Sequence, residues 1–209
     1  MNKTVETLWR AVLAGVMIAV GGTLYLSVEN KVVGACLFAI GLFGIFTGGL
    51  NLFTGKVGFA VVRAPSFLVD LLWIWLGNLI GTAIVALLLS ATRAGAALSQ
   101  KAAVLCEAKL NDSYASLFLL AVFCGMLMFF AANRYQTIQD SMGKNLAILF
   151  PVMVFILCGF EHCVANMYYF SMARVWSADA FLRMVVMSLG NACGAILLSG
   201  SQKALGDLK

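Results

Sequence analysis

Charge is scarce in this sequence. Of 209 residues, 14 are Lys or Arg and 9 are Asp or Glu, so only 11% are charged while 62% are hydrophobic, and the mean hydropathy is +0.97. That shortage excludes an ordinary soluble domain, in which about a quarter of the residues carry charge. Histidine is almost missing too, with His162 the only one. With one histidine, no HExxH and no nucleotide or haem motif, metal and cofactor chemistry lack their usual ligands, and we expect no enzyme, no metal and no cofactor. The six cysteines, at 36, 106, 124, 158, 163 and 193, form no CxxC pair. Most lie inside apolar runs and read as small packing residues, as the ten methionines read as gap-fillers. The net charge of +5 is spread singly between apolar runs and forms no patch, which argues against nucleic acid.

What fills the chain instead is apolar runs of membrane-spanning length. Full spans are expected from about Leu8 to Val28, Phe67 to Ala91, Tyr114 to Asn133 and Ala180 to Ser199. The first is followed by Glu29 and Lys31 rather than a small-residue cleavage site, and reads as a retained helix. Two further segments are interrupted. Val32 to Phe46 breaks at Thr47 to Gly55 and resumes weakly at Val57; Leu146 to Cys158 breaks at Gly159 to Asn166 before Met167 to Met172. A single polytopic membrane domain, residues 1–209, accounts for everything.

The halves match. Leu76-Gly77-Asn78-Leu79-Ile80-Gly81 recurs as Leu189-Gly190-Asn191-Ala192-Cys193-Gly194, and nearly the same shift lays the first break on the second, with Thr54 close to His162. The expected fold is therefore all-α, with six membrane segments as a 3+3 inverted repeat: repeat 1 over about 1–95, repeat 2 over about 110–205. Each repeat holds an odd number of spans, so the second crosses the membrane in the opposite sense. Paired broken segments in an inverted repeat point to a central permeation site, because non-helical backbone survives at membrane depth only where it is buried or lines a cavity. The small-residue pairs Gly77-x-x-x-Gly81 and Gly190-x-x-x-Gly194 read as helix-packing faces. A cytoplasmic N-terminus puts eight basic residues inside (Lys3, Arg10, Lys56, Arg63, Arg134, Lys144, Lys203, Lys209) against six outside, and both termini are assigned to the cytoplasm.

Glu161 and His162 sit inside the second break, and an ionisable pair at bilayer depth is a functional-site hypothesis by default. Gly159-Phe160-Glu161-His162-Cys163-Val164-Ala165-Asn166-Met167, combined with Leu52-Phe53-Thr54-Gly55 in the mirrored break, resembles the formate/nitrite transporter family over nearly the whole chain. The resemblance implies an aquaporin-like protomer in the cell membrane, a homopentamer with one pore per protomer, and passage of small monovalent weak-acid anions such as formate, nitrite or hydrosulfide. It implies His162 as the central pore histidine with Thr54 as its partner, Phe38, Leu42 and Phe155 as a cytoplasmic constriction, Leu52 in the outer one, and Lys109 in the outer vestibule. Asn51, Phe53, Glu161, Asn166 and Gly125 are expected to support the pore. Of these, Glu161 is expected to play a structural part, capping the broken segment or bonding backbone N–H groups rather than relaying a proton, and Asn166 to satisfy loop backbone. Asn51 stands where many members carry an acidic residue. Gly125 stands where many carry Asn, so an amide is lost there and room is gained. Thr54-Gly55-Lys56 is similar to the hydrosulfide-conducting branch. Lys56 itself reads as a lysine snorkelling at the membrane boundary.

The alternative is an aquaporin-like pore for small neutral solutes, since inverted repeats with paired breaks also build those. An intramembrane enzyme on Glu161, His162 and Cys163 finds no second histidine to work with. An anion entering an apolar constriction loses hydration that Phe and Leu cannot replace, whereas a neutral weak acid avoids most of that cost. An imidazole is the natural residue to supply a hydrogen bond or a proton at that point.

Overall fold

The computed structural model describes residues 2–208; Met1 and Lys209, the latter one of the eight basic residues counted inside, lie outside the described residues. Among the described residues the chain forms nine α-helices and no strand: α1 Lys3–Ser27, α2 Lys31–Thr47, α3 Phe53–Lys56, α4 Phe67–Ser90, α5 Gly95–Leu110, α6 Tyr114–Thr137, α7 Ser141–Leu157, α8 Cys163–Ala173 and α9 Ala178–Ala204, with a 3₁₀ segment Val57–Val62 after α3. Helices α1, α4, α6 and α9 are long and apolar enough to cross a membrane. They carry the four expected full spans. Their outward faces are apolar, with Leu72, Leu87, Leu88, Leu119, Phe123 and Leu197 exposed, as suits lipid rather than water.

Each break ends its first helix in the same way. Gly49 has φ +61 and Gly159 φ +70, the left-handed region where glycine meets no Cβ penalty. At the first, Leu50 N–H bonds Ile45 O and Gly49 N–H bonds Phe46 O; at the second, Phe160 N–H bonds Phe155 O and Gly159 N–H bonds Ile156 O. Both are Schellman motifs, which satisfy the last carbonyls of the helix and turn the chain out of its axis. The chain restarts as a helix at Phe53 and at Cys163, and here the first N–H groups need acceptors. Asn78 on α4 supplies one: its Oδ1 accepts from Phe53 N–H at 2.9 Å. Asn191 on α9 accepts from Cys163 N–H, also at 2.9 Å. The amide nitrogens match as well, Asn78 Nδ2 donating to Ala11 O and Asn51 O, Asn191 Nδ2 to Ala121 O and Glu161 O.

Close helix approach lets those asparagines reach. A Cβ added to Gly15 on α1 would overlap Asn78 O, and one added to Gly125 on α6 would overlap Asn191 O. Gly81 and Gly194 are pressed in the same manner against the backbone of α1 at Val12 and of α6 at Val122. The glycine pairs read from the sequence as packing faces are such faces.

One helix is new. Gly95–Leu110, which falls between the two stretches assigned to repeats, forms α5 and packs on α8. It buries Leu98, Ala102 and Cys106, one face at i, i+4 and i+8, and sends Lys101 and Glu107 outward. Its composition is rich in Ala and Leu, which favour helix, but its charges keep it below the hydropathy of a span.

Candidate functional site

The two breaks meet. Thr54, on α3, and His162, which caps α8, are 108 residues apart, yet Thr54 Oγ1 lies 2.9 Å from His162 Nε2. Both are buried, at 0% and 2% exposure. The other ring nitrogen, Nδ1, accepts from Ala165 N–H at 3.1 Å and so caps α8. A nitrogen that accepts carries no proton, and the neutral ring then bears its proton on Nε2 and donates it to Thr54 Oγ1. The Thr54 hydroxyl hydrogen is left free to donate in turn.

Apolar rings stand next to this pair. The His162 ring stacks on Phe155 at 5.4 Å between centroids, and Phe155 meets Phe38 edge-on at 5.8 Å. Phe38, Leu42 and Ile45 follow at i, i+4 and i+7 down one face of α2, all fully buried. A cavity lies on either side. One, of about 140 Å³, is lined by Tyr25, Lys31, Lys109, Phe155, His162 and Asn166. The other, of about 190 Å³, is lined by Ile45, Leu52, Gly55, Lys56, Tyr135 and Gln136.

These positions correct the expected sides of the constrictions. Phe155 was grouped with the side opposite Lys109, but it lines the same cavity as Lys109. Leu52, assigned to the Lys109 side, lines the other cavity. The reason is the course of the first break, which folds back against the start of α1: Asn51 Nδ2 donates to Thr7 O, and Arg10 donates to Gly49 O. Tyr25, at the far end of α1, and Lys31, at the start of α2, belong to the other end of the molecule, about 25 Å of helix away.

Four other expectations change. Gly125 leaves no room beside a pore, because the backbone of α9 fills the place its side chain would take. Glu161 does not bond backbone through its carboxylate; Oε1 and Oε2 accept from Lys109 Nζ at 2.8 and 2.7 Å, and Oε2 also accepts from Asn166 Nδ2 at 2.6 Å. Asn166 therefore serves Glu161 and the Met187 sulfur rather than loop backbone. Lys56 does not snorkel away from the protein, since it lines the second cavity. Phe53 is buried beside the break and held through its N–H by Asn78. Asn78 and Asn191 were overlooked as site residues, although the repeated Leu-Gly-Asn-x-x-Gly contains them.

The family model described as formate/nitrite transporter matches residues 1–203. The chain belongs to the formate/nitrite transporter family. Within this family it is 28% identical over 250 residues to the formate channel FocB of Escherichia coli, covering 98% of this chain and 88% of FocB. It is 29% identical over 226 residues to a probable formate transporter of Methanothermobacter thermautotrophicus. An uncharacterized transporter of Bacillus subtilis, YrhG, is 33% identical over 150 residues, but the match spans 56% of its length. Among solved structures the fold is similar to a pentameric formate channel with formate bound (TM-score 0.84, 23% identity, 99% of this chain and 98% of that one). It is equally similar to an ion channel of the same family (TM-score 0.85, 24% identity, 98% and 91%). The formate/nitrite transporter fold thus extends over this whole multi-pass membrane chain.

Proposed function

We propose that this protein is a channel for small monovalent weak-acid anions across the cell membrane. In this reading residues 1–209 form one channel domain whose six membrane segments are a 3+3 inverted repeat, with both termini cytoplasmic, and five protomers assemble with one pore in each. The duplicated asparagine contacts and the paired Schellman ends support the repeat. The pentamer is supported by the fold shared with a pentameric channel.

One observation carries the function: a buried hydroxyl–imidazole pair, Thr54 with His162, contributed by two broken segments and flanked by a cavity on each side. An anion moving from one cavity toward the other must shed water beside Phe38, Phe155, Leu42 and Leu52, which return none of the lost hydrogen bonds. Thr54 then offers its free hydroxyl hydrogen to the anion, with the His162 Nε2–H bond holding the hydroxyl in place. A hydrogen bond or a proton delivered there lowers the charge density of a weak acid at the narrowest part of its route. Chloride has no accessible acid form and gains nothing from the second possibility. Fixed donors and a narrow apolar lining together set selectivity.

Formate is the first anion to test, because FocB is a formate channel; nitrite and hydrosulfide belong in the same series. The experiment is stopped-flow flux in proteoliposomes with formate, nitrite, hydrosulfide and chloride across pH, for the wild type and His162→Asn. Rapid entry of a weak acid with chloride held out, weakened in the variant, is the expected result. Passage of water or urea with no anion flux would move the chain to the neutral-solute class and end the anion reading.

A further inference from the structure

The two cavities differ in the state of their lysines. Lys109, in the cavity that contains His162, is held by both carboxylate oxygens of Glu161, so its charge is already matched. Lys56, in the cavity on the other side of Leu52, is half-buried and makes no ion pair, and among the described residues no group accepts a hydrogen bond from its ammonium. The charged groups that face it are Arg63 and Arg10, both of its own sign. Arg10 is in turn engaged by Glu6 at 2.9 Å. Lys144 stands over the Tyr135 ring at 5.7 Å from its centroid, which adds a further cation at the same end.

An unpaired cation on the wall of a cavity, whose nearest charged neighbours share its sign, attracts an anion from solution, and the low-dielectric walls focus that field. The position is suited to passing the anion on. Lys56 is two residues from Thr54 and separated from it by Gly55, which lines the cavity and has no side chain to obstruct the way. Gln136 and Tyr135, which line the same cavity, add an amide and a phenol as neutral donors.

We propose that Lys56 is the anion-capture residue of the cavity beside the start of α1, the residue that sets how much anion concentration this mouth needs to load the pore. The proposal rests on the anion-channel reading above. Lys56 is a specificity residue acting on capture, whereas Thr54 and His162 act on passage. Formate flux then divides between them: Lys56 governs the half-saturating concentration, and the central pair governs the maximal rate.

The test is initial-rate formate flux in proteoliposomes as a function of formate concentration and ionic strength, for the wild type and for Lys56→Gln, Lys56→Met and Lys56→Arg. Removing one charge at contact distance near water is worth roughly fivefold in binding, so the Gln and Met variants are expected to raise the half-saturating concentration roughly fivefold. They should keep the maximal rate and lose part of the ionic-strength dependence, while Lys56→Arg stays close to the wild type. The elution position and thermal profile in detergent identify any variant that has not folded, and having two neutral variants leaves a comparison if one is lost. If both neutral variants keep wild-type half-saturation and salt dependence, the capture role is wrong and the channel reading stands. If the wild type passes no anion at all, both fall together.

Discussion

Glu161 grips Lys109 with both carboxylate oxygens, 52 residues away in the chain, and the pair stands one residue from His162. Lys109 and Glu161 keep only 16% and 6% of their side-chain surface exposed. Ions this far from water depend on each other, since removing one leaves the other as an uncompensated charge.

Lys109→Met should therefore destabilise the protein by about 3–5 kcal/mol, and Glu161→Gln by a similar amount. The double variant should recover a large part of the loss, because no charge is left stranded. Thermal unfolding of the four proteins in one detergent gives the double-mutant cycle directly. Additive losses would show that the two residues act on separate parts of the fold.

The central pair predicts a separation between folding and flux. His162→Ala removes the α8 cap and the partner of Thr54 together. His162→Asn retains a side chain suited to capping, and should hold stability within about 1 kcal/mol while still lowering formate flux. Thr54→Val should lose flux without unfolding, and Thr54→Ser should keep most of it. Wild-type rates in Thr54→Val would remove the hydroxyl from the route.

Asn78 and Asn191 should behave as a pair. Each makes three hydrogen bonds, one to the restarted helix and two to carbonyls, all of them buried at Asn191 and two of them at Asn78. Substitution by Leu strands those groups at about 1–3 kcal/mol apiece, so Asn78→Leu and Asn191→Leu should both lose stability heavily and by comparable amounts. Asn→Asp variants keep the acceptor for the restarted helix but aim a second carboxylate oxygen at two carbonyls, and should be at least as destabilising as Leu. Hydrogen exchange at Phe53 and Cys163 is the local readout.

Gly125→Ala and Gly15→Ala force a methyl into the backbone of a neighbouring helix. Both should cost at least about 1–3 kcal/mol from overpacking, and Gly125→Asn, which adds a larger side chain at the same place, should be worse. Gly200→Ala is the control, because nothing stands within 4 Å of a Cβ there; helix propensity predicts no loss, or a gain of up to about 1 kcal/mol. Thermal shift on the four variants decides.

The features that were legible in the sequence are those set by local composition. Long apolar runs gave α1, α4, α6 and α9, and Gly49 and Gly159 marked where the broken helices turn. Thr54 and His162 could be matched because they occupy like places in like breaks. Helix α5 was hidden by its own polarity, since it packs one narrow stripe and needs no lipid. The partner of Lys109 was hidden by distance along the chain, as nothing local ties residue 109 to residue 161. The sides of the constrictions were misread for a third reason: hydropathy says that a segment lies in the membrane, but not how far its loop folds back toward the end of α1.

Thr54 comes before α5 and His162 after it, and the contacts that frame them join α4 to α8 and α2 to α7. The site is thus a seam with one lip from each half of the chain. Neither half carries both members of the Thr54–His162 pair, so a fragment ending at α4 would lack the imidazole that holds the Thr54 hydroxyl. For the same reason a change on one lip of that seam is tolerated only if the other accommodates it.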